Sequence, residues 1–484
     1  MCIRDRFSLP PFGVSVFYYI SFSIIYYNIL TNNNFSKKYI FYFFLFTQII
    51  TLSWITQSFY SGGFGYLLLG IILVGILSIF IAFLHYSATI LILVTFKKKL
   101  LQIFLLPLGL SIVEILKEFI FGGFPWNPSA IIYYKNIWIL KSLPFLGVYG
   151  LGLVVHLIVG LMIYFLYCKN KVVTFSLSLV LVLIYAFGFF ENNTERKTNK
   201  ETLNILLIQP NLYESLVEFD VLRNLEIYEK LTLEALTNSP KVDLIIWPES
   251  SISSRFLINN KYNKNFSSHM TNFLKQDNIN LVAGIEARYI NERYNSSVLF
   301  KSDSIAYVYH KQRLVPNVEH TPKFFDILGY NLGADNFNIG KNLTMFNING
   351  IDFASMVCLE SIFPNPTRSF VNEGAKFLVY IVNDGWYIKP PEPQQHAKRC
   401  IYRAIENRRT VLRSANTGIS MIVNPHGNIT NLLELNKSGS INAQIEILDK
   451  ITFYTKYGNL FSIFNVFFAQ LSPHAVGRRR LPST

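Results

Sequence analysis

Charge is scarce in this 484-residue chain, where Asp, Glu, Lys and Arg together make up 15%. An average soluble domain carries about 25%. The shortage argues against a chain that is wholly surrounded by water. Cysteine is scarce too: Cys2, Cys168, Cys358 and Cys400 form no CxxC pair and no metal-like spacing with the eight histidines. A disulfide framework is therefore unexpected, and no metal or other cofactor is indicated. Acidic residues are the minority, 30 against 44 Lys and Arg, giving a net charge of +14. A nucleic-acid partner would call for a basic run or an aromatic-interleaved basic stripe. Neither is present, so no nucleic-acid partner is expected. Many of the lysines flank apolar segments, as membrane topology requires.

Apolar residues are abundant, at 51% with a mean hydropathy of +0.30, and unevenly spread. Residues 1–190 read as a transmembrane helical domain with about six spans, near 10–30, 39–57, 66–96, 100–121, 147–168 and 172–190. Most approach the roughly 20 residues that cross a bilayer. Residues 195–450 read as a soluble α/β domain. Residues 451–484 hold a short apolar run, 459–471, expected to be a final and truncated span, followed by a basic tail. The polar start MCIRDR and the end HAVGRRRLPST are taken as non-native or truncated and set aside from fold reasoning.

Lysines set the orientation. Lys37 and Lys38 follow the first span, Lys97, Lys98 and Lys99 the third, and Lys169 and Lys171 the fifth. These loops are expected in the cytoplasm. The loop SFYSGG has no Lys or Arg, and the stretch 122–146 has only Lys135 and Lys141. By parity, 195–450 is extracytoplasmic, and so is the visible N-terminus unless a first span is missing.

Within 195–450, strand-like runs alternate with helical ones, so an α/β sheet with covering helices is expected, mixed because of its hairpin signals. Polar groups stand where apolar runs stop: Glu249 after DLIIWP, Lys311 after AYVYH, Cys358 after FASMV, and Asn383–Asp384 after FLVYIV. Ligands in open α/β sheets bind outside the carboxyl ends of strands. Taken alone, Cys358 reads more readily as core packing than as a nucleophile. Together with Glu249 and Lys311 it forms the set required by a base-activated thiol. Glu249 would take the thiol proton, Lys311 would stabilise an oxyanion, and Glu319, eight residues beyond Lys311, would orient it or assist proton transfer.

The segments IIWPES, YHKQRLVP and VCLES resemble the Glu, Lys and Cys motifs of the nitrilase (carbon–nitrogen hydrolase) superfamily. Fused to membrane spans, and with GFPW, LPFLGVYGLG, NDGWY, the QQH…R..E.RR pattern, LRSANTG and TFYTKYGN in order, the chain resembles the apolipoprotein N-acyltransferase family over nearly its whole length. That resemblance implies a membrane helical bundle carrying a periplasmic nitrilase-like αββα sandwich, with catalytic Glu249, Lys311 and Cys358 and supporting Glu319 and Glu360. It implies a bacterial inner-membrane protein with eight spans, seven before the domain. It implies a phosphatidylethanolamine-like donor, a diacylglyceryl-apolipoprotein acceptor and a Cys thioester. Trp126 would then line a lipid entrance or belong to an interfacial belt. Trp386 and Tyr387 would form an acyl-chain wall or pack in the core. Arg403, Arg408, Arg409 and Arg413 would be a solvated helix face with its continuation, some pairing with Glu406 at i,i+3 spacing, or would contact phosphate. The family's usual Tyr after the nucleophile is replaced by Leu359, and its usual Phe-Gly before the second Glu by Asn317 and Val318. Two other readings are a membrane-tethered amidase using water and a non-catalytic scaffold or transporter.

Overall fold

A computed structural model describes residues 7–32, 34–62, 64–169, parts of 171–186, 201–212, 221–237, 241–252, 272–275, 279–289, 292–301, 304–316, 318–321, 336–387 and 391–459. The expected span at 172–190 lies largely outside the described residues, and that at 459–471 almost entirely so.

The N-terminal part is built from apolar helices: α1 (Val16–Thr31), α2 (Lys38–Leu52), α3 (Phe64–Thr95), α4 (Lys99–Leu116) and α5 (Leu143–Cys168). A 3₁₀ stretch, Ser53–Gly62, continues α2. Among the described residues, four helical segments are long and apolar enough to cross a membrane: Lys38–Phe59, Gly65–Thr95, Lys99–Leu116 and Leu143–Cys168; α1 is shorter. They are apolar on every side, which suits a helix with no aqueous face. In α3, Val74, Ile81 and Ala82 are buried while Ile72, Ile76 and Phe83 point outward.

Helix α5 is interrupted at Gly147, whose φ is 65°. A side chain there would be strained, and its Cβ would lie 2.4 Å from the Tyr454 ring. The helix restarts at Val148, whose N–H donates to Glu406 Oε1 at 2.8 Å. A carboxylate from the second half of the chain thus sits at the positive end of a helical stretch from the first.

The second half contains β1 (Thr202–Gln209), β2 (Leu244–Ile246), β3 (Asn280–Arg288), β4 (Arg293–Lys301), β5 (Ser304–His310), β6 (Phe346–Ile348), β7 (Ile351–Val357), β8 (Phe377–Val382), β9 (Thr410–Ala415), β10 (Ser420–Val423), β11 (Ile429–Leu433) and β12 (Gly439–Glu446). Among the described residues they form two six-stranded sheets, ordered β12-β1-β2-β3-β4-β5 and β11-β10-β9-β8-β7-β6. Each has a parallel centre, β1–β2–β3 or β7–β8–β9, and antiparallel flanks. The sheets face one another through β1 against β9 and β4 against β7. Helix α6 (Val221–Thr237) covers β1 and β12; α7 (Pro364–Asn372) and α8 (Glu392–Asn407) cover the other sheet. This is the expected αββα sandwich with mixed sheets. The uninterrupted apolar run FLVYIV makes β8 buried along its whole length, as a strand covered on both faces must be.

Helix α8 joins the two halves. Gln395, Arg399, Tyr402 and Glu406, at three- and four-residue spacing, meet Trp126, Asn127, Ala130 and Val148 respectively. The solvated face expected for the arginines is corrected here. Arg403, Arg408, Arg409 and Arg413 are all buried. Partners make this possible: Glu406 for Arg403, the carbonyls of Ala375 and Lys450 for Arg409, and Asp384 for Arg413.

Candidate active site

Glu249, Lys311, Cys358 and Asn383 each follow a strand, and these strand ends come together. Glu249 comes three residues after β2, in the turn Trp247–Pro248–Glu249. Lys311 follows β5, Cys358 follows β7, and Asn383 follows β8. Parallel pairing of Val357 with Ile381 sets Cys358 beside the end of β8. Pairing of Ser296 with His310 brings Asn295 to Lys311, whose N–H donates to the Asn295 carbonyl at 2.8 Å. Gly284 on β3 underlies Glu249. A Cβ there would lie 2.5 Å from the Glu249 Cα, so only glycine lets the strand pass.

Lys311 is buried and its Nζ donates to Glu319 Oε1 at 2.7 Å and to Glu249 Oε1 at 3.4 Å. Asn295 Nδ2 bridges the same two carboxylate oxygens, at 2.7 Å from Glu249 and 2.6 Å from Glu319. Glu249 Oε2 accepts from the Asn383 N–H at 2.8 Å. Glu319 Oε2 accepts from the Val315 N–H at 2.6 Å. Both carboxylates are thereby aimed. Burial opposes the Lys311 charge, but Glu319 and Glu249 outweigh it and hold the ammonium above its ordinary range.

Cys358 has φ 50°, left-handed for a residue with a side chain, a strained turn of the kind that recurs at reactive centres. Burial pushes its thiol well above the ordinary value; Glu249 adds to this, and Lys311 opposes it. Burial and the nearby Glu249 charge thus both favour the protonated thiol over the thiolate.

Glu360 holds the turn from within. Its Oε2 accepts from the Val357 N–H at 2.8 Å. Its Oε1 accepts from the Tyr309 hydroxyl at 2.7 Å and from the N–H groups of Gln312 and Arg313 at 2.8 and 3.2 Å. One carboxylate thus ties the residue before the cysteine to the residues after the lysine. Burial pushes the Glu360 carboxyl up from its usual range, while these donors and Lys311 act against it.

On another side of the sulfur, Cys358 Sγ, Asp384 and His396 bring potential ligand atoms within 4.8 Å of one another. By residue type this set suits a cation. However, Asp384 Oδ2 already accepts from Arg413 Nη2 at 2.6 Å, and Oδ1 lies 2.9 Å from His396 Nδ1. Burial opposes the Asp384 charge, but Arg413 and His396 outweigh it and keep the carboxyl below its usual range. The guanidinium is the counter-ion of this carboxylate, and the arrangement is poorly suited to a metal.

An apolar seam leads from the crevice to the helices. Leu359, next to the cysteine, clusters with Trp54, Val74, Ile81, Trp126 and Phe363, with Tyr387 packed alongside. Trp126 is buried; its ring lies 4.6 Å from that of Trp54 and 6.1 Å from that of His396, and its Nε1 donates to Gln395 at 2.8 Å. The Tyr387 ring meets Trp54 edge-on at 5.1 Å, whereas Trp386 is largely exposed. Crevice and seam thus bring together Glu249, Lys311, Glu319, Cys358, Glu360, Trp126 and Tyr387, and leave Trp386 on the surface. Asn295 was not apparent in the sequence, since it lies inside a strand-like run with no motif around it; Tyr309 opens the YHKQRLVP segment, but nothing in that segment marks it as a partner of Glu360.

A two-layer sandwich with Glu, Lys and Cys at its strand ends is the arrangement of a carbon–nitrogen hydrolase, and the carbon-nitrogen hydrolase family model matches residues 206–449. The model of the apolipoprotein N-acyltransferase N-terminal domain matches residues 6–161. Relatives are similar across both parts. An apolipoprotein N-acyltransferase of Aquifex aeolicus is 30% identical over 376 residues, 75% of this chain and 80% of the relative. Those of Geobacter metallireducens and Rickettsia bellii are each 27% identical, over 427 and 394 residues, covering 81% and 76% of this chain and 78% and 75% of the relatives. The chain belongs to the apolipoprotein N-acyltransferase family.

Proposed function

We propose that this protein transfers a fatty acyl chain from a phospholipid to the N-terminal amine of an S-diacylglyceryl-cysteine apolipoprotein, through a thioester on Cys358. One observation carries the reading: a buried Lys311 held between two carboxylates shares a crevice with Cys358, and the residue after the cysteine packs on membrane helices.

In the first half reaction, Cys358 Sγ attacks the donor's ester carbonyl carbon and its proton passes to Glu249. Lys311 stabilises the oxyanion. Collapse breaks the ester C–O bond, and the lysophospholipid oxygen leaves with the proton from Glu249. In the second, the acceptor amine attacks the thioester carbon and gives a proton to Glu249. Collapse breaks the C–S bond and returns that proton to sulfur. Glu319 orients Lys311, and the donor is phosphatidylethanolamine-like. Trp126 and Tyr387 line the path of the acyl chain, with Trp386 at its rim. An apolar seam excludes the water that would divert the thioester to hydrolysis.

Residues 1–190 form the lipid-embedded part, 195–450 the catalytic part, and 451–484 a returning helix and tail. The catalytic part faces the periplasm from the inner membrane. In support, it meets the chain after α2 and α4, at Trp54 and Trp126, whereas Lys37, Lys38 and Lys97–Lys99 follow α1 and α3 at the opposite helix ends. Loops rich in Lys belong to the cytoplasmic side.

The test is purified protein with phosphatidylethanolamine and a synthetic S-diacylglyceryl-cysteine peptide, followed by mass spectrometry. N-acylated peptide and lysophospholipid are expected in equal amounts, and neither with Cys358→Ala. Ammonia release from a small amide without peptide acylation would overturn the reading in favour of an amidase.

A further inference from the structure

The nucleophile turn also has a support outside itself, which the reaction above leaves unused. His396 lies on α8, buried, with both ring nitrogens engaged. Nε2 is 2.9 Å from the Ser361 hydroxyl and 3.2 Å from the carbonyl oxygen of Cys358. Nδ1 is 2.9 Å from Asp384 Oδ1, 3.4 Å from Arg413 Nη2 and 3.6 Å from Glu392 Oε1. The ring therefore spans from the backbone of the cysteine to Asp384, two residues beyond β8. The neighbouring residue, Asn383, holds Glu249 through its N–H. The peptide pair Asn383–Asp384 is thus a common reference for the base and the nucleophile.

We infer that His396 is a positioning residue for acyl transfer: with Asp384 it holds the strained backbone of Cys358 in register with Glu249. Three observations make this more than core packing. The contact is with the reacting residue's own carbonyl. That residue has a left-handed φ of 50°, which surroundings must maintain. Asp384 is itself fixed by Arg413 at 2.6 Å, so the strut is anchored at its far end. Glu360 restrains the same turn through Val357; the two clamps grip opposite ends of the Val357–Cys358 segment. The strut needs an N–H on each nitrogen, Nδ1 donating to Asp384 and Nε2 to the Cys358 carbonyl; burial, then the Arg413 charge, oppose that charged ring, whereas Asp384 and the Cys358 carbonyl favour it. Removing the ring leaves the sulfur in place but frees its backbone to drift, and drift on the order of 1 Å costs about 100-fold in rate.

The inference rests on Cys358 being the acyl carrier, and the experiment separates the two. His396→Ala, His396→Gln and wild type are compared in single-turnover formation of the acyl adduct from phosphatidylethanolamine, with donor KM and thermal melting measured in parallel. Expected are a loss of about 100-fold in the adduct rate for His396→Ala, donor KM within about threefold of wild type, and a partial return of rate in His396→Gln, whose amide reaches the same carbonyl. Should His396→Ala fail to fold, His396→Gln and Ser361→Ala carry the test: the first is expected to be slowed at least tenfold and the second at most threefold. Wild-type rates in His396→Ala or, where that variant fails, in His396→Gln overturn the inference. So does a loss that appears wholly in KM, or one that Gln does not relieve. No adduct in wild type would instead overturn the thioester reading itself.

Discussion

Glu360 offers a quantitative test because one buried carboxylate serves four donors. In Glu360→Ala the Val357 N–H and the Tyr309 hydroxyl, both buried, lose their acceptor. Each buried donor left unsatisfied costs about 1–3 kcal/mol, so these two alone cost about 2–6 kcal/mol. Whole domains are stable by only about 5–15 kcal/mol, and Glu360→Ala is expected to accumulate poorly. Glu360→Gln is more informative. Its amide oxygen can keep the three donors of Oε1, while its NH2 group then faces the Val357 N–H. One hydrogen bond becomes a donor–donor contact, for a loss of about 1–3 kcal/mol. In a domain of this size that lowers the melting temperature by about 2–4 °C per kcal/mol. Val357 precedes the nucleophile, so the acylation rate should fall by about 100-fold. Melting followed by tryptophan fluorescence in detergent, together with a single-turnover acylation assay, reads both. A Glu360→Gln protein that melts within 1 °C of wild type and acylates within twofold would refute the coupling of the lysine loop to the cysteine turn.

Other expectations follow from the same geometry. Because burial and Glu249 push the Cys358 thiol up, alkylation by iodoacetamide should be slow at neutral pH and still rising past pH 9; a plateau near pH 7 would contradict this. Glu249→Gln removes a negative charge, so its thiol should titrate lower than wild type while acyl transfer falls by about 100- to 10,000-fold; unchanged transfer would exclude Glu249 as the base. Gly284→Ala forces a Cβ against Glu249 Cα and should cost about 100-fold in acylation, with the side chains of Cys358, Lys311 and Glu319 untouched; a wild-type rate would show that the strand yields freely. Asn295→Ala removes the amide between the two carboxylates and should slow acylation at least tenfold with little change in donor KM; an effect on KM alone would assign Asn295 to binding.

Much of this molecule is legible in the sequence because its signals are local. A strand of six apolar residues followed by Asn-Asp reads directly as β8 and its polar end, and the same logic finds Glu249, Lys311 and Cys358. The apolar runs locate all five described membrane helices, the α2 segment and α3 to within a turn and α1, α4 and α5 to within about six residues at one end. Three kinds of information are not local. Asn295 matters because antiparallel register sets it opposite Lys311, and no pattern within RYNSSVLFK announces that. The i,i+3 pair of Arg403 with Glu406 is local and legible, but the other arginines of α8 and β9 look like a wet basic surface because their partners come from distant stretches. His396 looks like one more polar residue at the start of a helix until the fold brings Cys358 and Asp384 to its two nitrogens.

The most direct measurement is mass spectrometry of purified protein quenched in acid after mixing with a phospholipid of known acyl chains and no acceptor. One acyl group on Cys358, removed by hydroxylamine and discharged on adding a diacylglyceryl-cysteine peptide, is the expected result. An enzyme that acylates the peptide while Cys358 stays unmodified, or that carries the acyl group on another residue, would contradict the mechanism.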